Sequence, residues 1–305
     1  MKRYIIKRLL LGLLTLVSVT IVVFVAVRLS GDATLLLAPP DATRAELDSL
    51  RAQLGLDKPI PVQYILFVKK IAKGDFGRSF RYNRPAMQLV LSRLPATLEL
   101  AIVAFSILVT LGMVFGVTSV MKSGSWFDRC GTVFALLGQS MPEFWIGIMA
   151  ILIFSVGLHW FPTSGRGGLT HLILPSLTLG WFSAASIMRL TRSSMLEIMG
   201  SEFIKMARLK GNPDWIVIWK HALRNALIPV VSMGGLQLGR LLGGAVVVET
   251  VFGWPGLGQL IVDAVYTRDY SLVQAGVMVT AIIFILLNLV VDLLYGFIDP
   301  RIRYE

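Results

Sequence analysis

The chain has 305 residues, of which 55% are hydrophobic and only 15% charged, and its net charge is +11. Ordinary globular proteins carry about a quarter charged residues, so a mean hydropathy of +0.72 excludes a soluble fold and defines a polytopic membrane protein. No nucleic-acid motif accompanies the basic excess, which is that of Lys and Arg flanking membrane spans. One cysteine, Cys130, excludes an intrachain disulfide and a Cys-cluster metal site, and the three histidines are widely separated.

The chain opens on MKRYIIKRLLLGLLTLVSVTIVVFVAVRL. Its start is basic, as in a signal peptide, but the apolar run is about the ~20 residues that cross a bilayer, longer than a signal core. Residues 1–28 are therefore read as a cytoplasmic start and a retained first span, Ile5–Val27. Residues 29–96 form an external helical segment. In it Asp41 or Thr43 can cap a short helix carrying Leu47, Leu50 and Leu54, with Gly55 to end it, and a second helix falls near Pro61–Ala72. This segment is a small cap packed on the membrane domain or a direct substrate contact.

Residues 97–305 form a five-span core with a cytoplasmic loop at 189–225. Its spans are Leu98–Val120, Val133–Leu158, Leu172–Met188, Ala226–Val248 and Leu272–Ile298. The fourth is short and contains Pro175. The expected fold is thus all-α with six transmembrane helices. Lys2, Arg3, Lys7, Arg8, Lys122, Arg129, the basic residues of Arg189–Arg224, Arg301 and Arg303 fall on one side, whereas the short connections opposite hold only Arg166 and Arg268. The positive-inside rule puts both termini in the cytoplasm. No inverted repeat of the kind that builds many secondary transporters is visible.

Within the spans, Glu143, Arg240 and Asp292 are candidate intramembrane charges, which are costly and usually functional or paired. Structural pairing is the simpler reading of Glu143 and Arg240; contact with a passing charged substrate is the other. Glu99, Glu249 and Asp263 lie near span ends, where water can solvate them. Gly235, Gly239 and Gly243 recur every four residues, with Gly234 and Gly244 beside them, spacing that lets helices approach closely. That packing is internal or against a partner at a translocation path, while Gly112 and Gly116 are read as internal packing. FGWPGLG, which includes Trp254, Pro255 and Gly256, is a tight turn between the last two spans, structural or acting as a gate.

Ser201–Val230, SEFIKMARLKGNPDWIVIWKHALRNALIPV, interrupts these apolar runs with a charged, helix-patterned insert. Phe203, Met206 and Ala207 share one helical face, and Lys205 and Arg208 another. Gly211 suits the position just past a helix, Asn212 an N-cap, and Pro213 the first turn of a second helix. The residues support either a docking knob for a cytoplasmic partner or an amphipathic helix among lipid headgroups, and Trp215 and Trp219 suit the latter.

FIKMARLKG followed by HALRNALIPV resembles the cytoplasmic loop signature of ATP-binding-cassette importer permeases. More narrowly it is similar to the dipeptide/oligopeptide/nickel permease family, in its first-permease branch. GLDKPIPVQY, GDFGRSF, RLPATLELA, SMPEFW, ILPSLTLG, MRLTRSSMLEIM, VVVETVFGWPGLGQLIVDAV, RDY and NLVVDLLYGFIDPRIRY continue the resemblance, in order, over nearly the whole chain. It departs from the general importer signature, Glu-Ala-Ala, three residues, then Gly and a later Leu-Pro. Lys205 and Met206 replace the first two positions and Leu223-Arg224 stands for Leu-Pro, while Ala207 and Gly211 remain.

The resemblance implies a transport subunit, not an enzyme. It would move short peptides from an external solute-binding protein across a bacterial or archaeal inner membrane. Its implied partners are a second homologous permease (a heterodimer), two cytoplasmic ATPases and the lipid bilayer, with no nucleic acid. It implies no cofactor in this chain, ATP and Mg being held by the ATPases; no G-x-x-x-x-G-K-[ST] loop is present. Phe203, Lys205, Ala207, Arg208, Gly211, Asn212 and Asp214 become candidate coupling residues. Glu143, Gly239, Arg240, Gly243, Trp254, Pro255 and Gly256 become candidates for the translocation path or gate. Nickel or glutathione uptake is an alternative within the family. A proton-coupled transporter is an alternative outside it, and a membrane enzyme lacks any nucleophile–base constellation.

Overall fold

The structure, a computed structural model, describes residues 2–29, 43–54 and 57–298. Asp41, Gly55, Arg301 and Arg303 lie outside the described residues. Among the described residues the chain is helical, apart from turns and one isolated bridge between Arg78 and Pro85. The helices in chain order are α1 (Lys2–Leu29), α2 (Arg44–Leu54), α3 (Ile60–Ala72), α4 (Ala86–Met121), α5 (Trp126–Ser140) and α6 (Glu143–Ala150). After them come α7 (Leu169–Met199), α8 (Glu202–Leu209), α9 (Asp214–Ile216), α10 (Leu223–Val251), α11 (Leu257–Tyr266) and α12 (Tyr270–Ile298). Wider π-helical turns extend α6 over Ile151–Gly157 and join α9 to α10 over Val217–Ala222.

Five of these are long and apolar enough to cross a membrane: Ile6–Leu29, Ala86–Met121, Leu169–Met199, Pro229–Val251 and Tyr270–Leu293. The expected third span, Val133–Leu158, is not one rod. Its place is taken by Asp128–Ser140 and Glu143–Gly157, bent by 111° at the break. The cause is local: Pro142 pushes the residue before it out of the helical region, and Met141 has φ −99 and ψ 136. The fourth span is longer than expected. Its apolar stretch ends near Met188, but α7 runs on to Met199 because Thr191, Ser194 and Met195 remain buried against neighbours. Along α1, Leu10, Leu13, Leu14 and Val22 are exposed, the surface of a helix meant for lipid or another subunit rather than water.

Two compact units share the chain. The first comprises Ala96–Pro255 with Leu286 onward. Its core joins Leu100 and Leu108 of α4, Leu179 and Ile187 of α7, and Leu241 and Val248 of α10 to Phe252 and Trp254. Gly112 and Gly116 let α4 meet α7: a Cβ on either would sit 2.6 Å from Ile187 or Thr191, so this pair does pack within the subunit. At one end Asp128 of α5 takes a bidentate pair from Arg192 of α7, with both N–O distances 2.9 Å, and also accepts from the Ser119 hydroxyl. Glu99 pairs with Arg166 at half-exposed positions. Glu249 is not solvated as its place near a span end suggested. It is fully buried and accepts a 2.6 Å bond from Thr97.

The second unit comprises Lys2–Pro95 with Gly256–Ile285. Phe76, Val90, Leu260, Leu272, Ala275 and Met278 form its core. On α1, Thr20 hydrogen-bonds the Tyr64 hydroxyl of α3 at 2.8 Å, and Phe24 meets the Tyr64 ring edge-on. The predicted external helices are present as α2 and α3. Thr43 begins α2 in a capping box: its N–H and hydroxyl donate to Glu46 while the Glu46 N–H donates back. These bonds, the backbone one foremost, hold the Glu46 carboxyl below its usual range. The loop after α3 is held by buried Asp269, which accepts from the Ser79 hydroxyl and the Arg81 N–H and caps α12 through the Leu272 N–H.

Candidate functional site

The charged insert folds as a short helix seated on one end of the first unit. Ile204 and Ala207 of α8 are its buried residues, 0% and 8% exposed. They pack with Val117 of α4, Met195 of α7, and Val217, Ile218 and Ala222 of the π turn. The apolar face expected from Phe203, Met206 and Ala207 is therefore divided. Ile204, one residue along, replaces Phe203 as the anchor, and Phe203, Met206 and Leu209 stand 46%, 55% and 82% exposed. At i, i+3 and i+6 they form an unburied apolar ridge on a helix held from behind.

The end of α8 is built by three residues. Gly211 has φ +79 and donates its N–H to the Arg208 carbonyl at 2.9 Å, the left-handed closure that glycine adopts without a Cβ penalty. Asn212 does not cap the next helix as expected; its side-chain amide reaches back to the Ala207 carbonyl at 2.9 Å. A Schellman turn normally fills that acceptor with a backbone N–H, so here a side chain ties the turn to the helix. Pro213, expected in the first turn of the second helix, occupies the N-cap position, with Asp214 first inside. Arg208 spans the break to Asp214 at 3.4 Å, and Lys205 pairs with Glu202 at 2.7 Å. All four charges are exposed, so these pairs tune the surface more than they stabilise it.

The same unit also carries an open pocket of about 280 Å³, at which Arg240 and Gly243 are exposed and Glu143 is half-buried. Glu143 from α6, Leu179 and Ser183 from α7, and Arg240, Leu241, Gly243 and Gly244 from α10 line it. Arg240 lies over the Phe182 ring, 4.5 Å from its centroid. Among the described residues no ion pair joins Glu143 and Arg240 within 4 Å. Gly244 makes room for the acid, since a Cβ there would fall 2.8 Å from Glu143 Oε2, whereas one on Gly243 would meet nothing within 4 Å.

The remaining path candidates lie elsewhere. Gly239 is half-buried beside Arg240 and is not a lining residue of the cavity. Trp254 is fully buried in the first unit's core, with its indole N–H on the Ala96 carbonyl at 2.9 Å. It follows Gly253, φ +55, in a Schellman turn whose closing bond runs from the Trp254 N–H to the Glu249 carbonyl. Pro255 is half-buried, and Gly256 caps the start of α11. Sequence reasoning missed Ile204 as anchor, Ser183 in the cavity wall, and the Asp128–Arg192 pair. Only the last had a visible signal, an acid and a base beside spans two to four.

The described residues combine five helices long and apolar enough to cross a membrane with a short helix seated at the end of one of them. The chain belongs to the family described as binding-protein-dependent transport system inner membrane component, matched over residues 88–304, and its first 101 residues match the corresponding N-terminal family. It is 45% identical over 306 residues to the glutathione transport system permease protein GsiC of Salmonella paratyphi A. To the dipeptide transport system permease protein DppB of Alkalihalophilus pseudofirmus it is 41% identical over 333 residues. Both alignments cover 100% of each chain. Two inward-facing structures of the MetNI methionine ABC transporter share the fold at TM-scores of 0.58 and 0.59 and 21% identity. Each match covers 70% of this chain and 97% of the other. The chain is an ATP-binding-cassette importer permease subunit, and ATP hydrolysis belongs to a separate subunit.

Proposed function

We propose that the chain carries short peptides inward from an external solute-binding protein, with a second permease and two ATPases as partners. Both termini and α8 lie on the cytoplasmic side, and residues 29–96 are external, in keeping with the basic residues of the short segments. The observation that carries the coupling role is α8 itself, anchored by Ile204 and Ala207 and presenting Phe203, Met206 and Leu209 outward. An ATPase groove receives this ridge and the Gly211–Asp214 turn, with Lys205 and Arg208 at its rim. Closure of the ATPases on ATP moves α8 as a rigid body, and α7 and α10 carry the motion to the spans. Burial against α4, α7 and the π turn that leads into α10 supports such a lever, since packed interfaces transmit displacement rather than absorb it.

Glu143, Gly239, Arg240 and Gly243 belong to the translocation path in this account, and Trp254, Pro255 and Gly256 form its fixed outer turn. Glutathione, itself a peptide, is the alternative cargo favoured by the GsiC likeness. Substitution of Gly211 by Arg tests the assignment. The expected result is membrane insertion at the wild-type level, with ATPase co-purification and peptide uptake lost; normal assembly and uptake would refute the docking role.

A further inference from the structure

Two opposite charges facing one intramembrane cavity without joining call for a chemical reason. A buried or membrane-embedded charge is costly unless compensated, and the cheapest compensation for Glu143 and Arg240 would be each other. Instead both line the cavity with no mutual ion pair among the described residues. No hydrogen bond of either side chain occurs among the described residues. The guanidinium is steadied by the Phe182 ring, a contact that uses its face and leaves its five N–H donors unspent. The carboxylate is accommodated by the missing side chain of Gly244, and its acceptor oxygens are likewise unspent.

The pocket opens at the surface of the unit, where Arg240 and Gly243 are exposed. Gly243 lines it although a Cβ there would touch nothing, so packing does not require glycine at this position. A volume of about 280 Å³ is many times the ~10–15 Å³ that one water requires, room enough to solvate both charges. It also falls just below the ~300–1,000 Å³ of sites that enclose a whole ligand. The cavity suits brief contact with the ends of a small molecule better than tight capture.

We propose that Glu143 and Arg240 form a transit subsite for a short zwitterionic peptide, Arg240 taking its carboxylate and Glu143 its ammonium. The inference rests on the peptide-import reading above and adds the recognition chemistry of the path. Selectivity for free termini is then exercised twice, in the binding protein and again in the permease.

The test uses the assembled importer in proteoliposomes, with uptake measured at concentrations that saturate the binding protein, so that its own selectivity drops out. The substrates are a dipeptide, its C-terminal amide and its N-acetyl form. Arg240→Gln is expected to slow the dipeptide about tenfold, the range of one charge-assisted hydrogen bond, and to leave the amide unchanged. Glu143→Gln is expected to do the same to the dipeptide and to spare the N-acetyl form. Equal slowing of every substrate, or no change, would overturn the subsite. Should Arg240→Gln fail to insert, Arg240→Lys keeps the charge and must retain the preference for the free carboxylate. Absence of ATP-dependent uptake of any peptide by the wild-type importer is a different result, and it defeats the import reading itself.

Discussion

Asn212 donates its side-chain amide to the Ala207 carbonyl across the end of α8, at 2.9 Å. The bond links the turn that leaves the helix to one of the two residues that anchor it. The seat of α8 and the shape of the Gly211–Asp214 turn are therefore set together.

Loss of that bond is the first prediction. Asn212→Ala removes a partly buried hydrogen bond worth about 1 kcal/mol without disturbing the anchors. Insertion and thermal stability of the subunit change little, while ATP-driven uptake falls several-fold. Uptake at the wild-type rate would mean that the turn does not need this tie.

Gly211→Ala separates backbone strain from steric blockade. A methyl group at Gly211 meets nothing within 4 Å, but φ is +79, a conformation that costs an L-residue about 1–2 kcal/mol. The expected outcome is a frayed end of α8, read as faster amide hydrogen exchange over Arg208–Lys210, with exchange in α7 unchanged.

Asp128→Asn probes the end of the unit on which α8 sits. The carboxylate is buried and bidentate to Arg192. Arg192 is 31% exposed, so water takes up part of the stranded charge, and the cost is that of an unmade charge-assisted bond, about 1–3 kcal/mol. A measurable drop in thermal stability is expected in lipid or detergent. Glu202→Gln, which breaks the exposed pair to Lys205, should cause no measurable change.

Asp269→Ala addresses the second unit. It removes the acceptor of Ser79 and Arg81 and the cap of α12 together. A lost N-cap alone costs about 1 kcal/mol. Protease accessibility of the Asp75–Pro85 loop in intact membranes should rise, and Ser79→Ala should reproduce part of that rise.

Much of this was readable from the chain because the signals are local. Apolar length marks α1, α4, α10 and α12; Thr43, one of two cap candidates, marks the start of α2; and Gly211 marks the end of α8. What was hidden depends on tertiary contact. Periodicity assigns Phe203 and Ile204 to adjacent positions and cannot say which one faces Val217. Asn212 fits a helix start or a helix end by type, and only the position of the Ala207 carbonyl decides between them. Pro142 was visible in SMPEFW, yet a proline can kink a membrane helix gently, and the 111° bend follows from Met141 becoming extended. Glu143 and Arg240 lie nearly a hundred positions apart, so their shared cavity had no linear signature.

The most direct measurement of the central claim is peptide uptake into proteoliposomes holding the assembled importer, with ATP and an ionophore varied independently. The account predicts uptake that stops without ATP on the ATPase side and continues when the proton gradient is collapsed. Uptake that survives ATP removal and follows the proton gradient would contradict it.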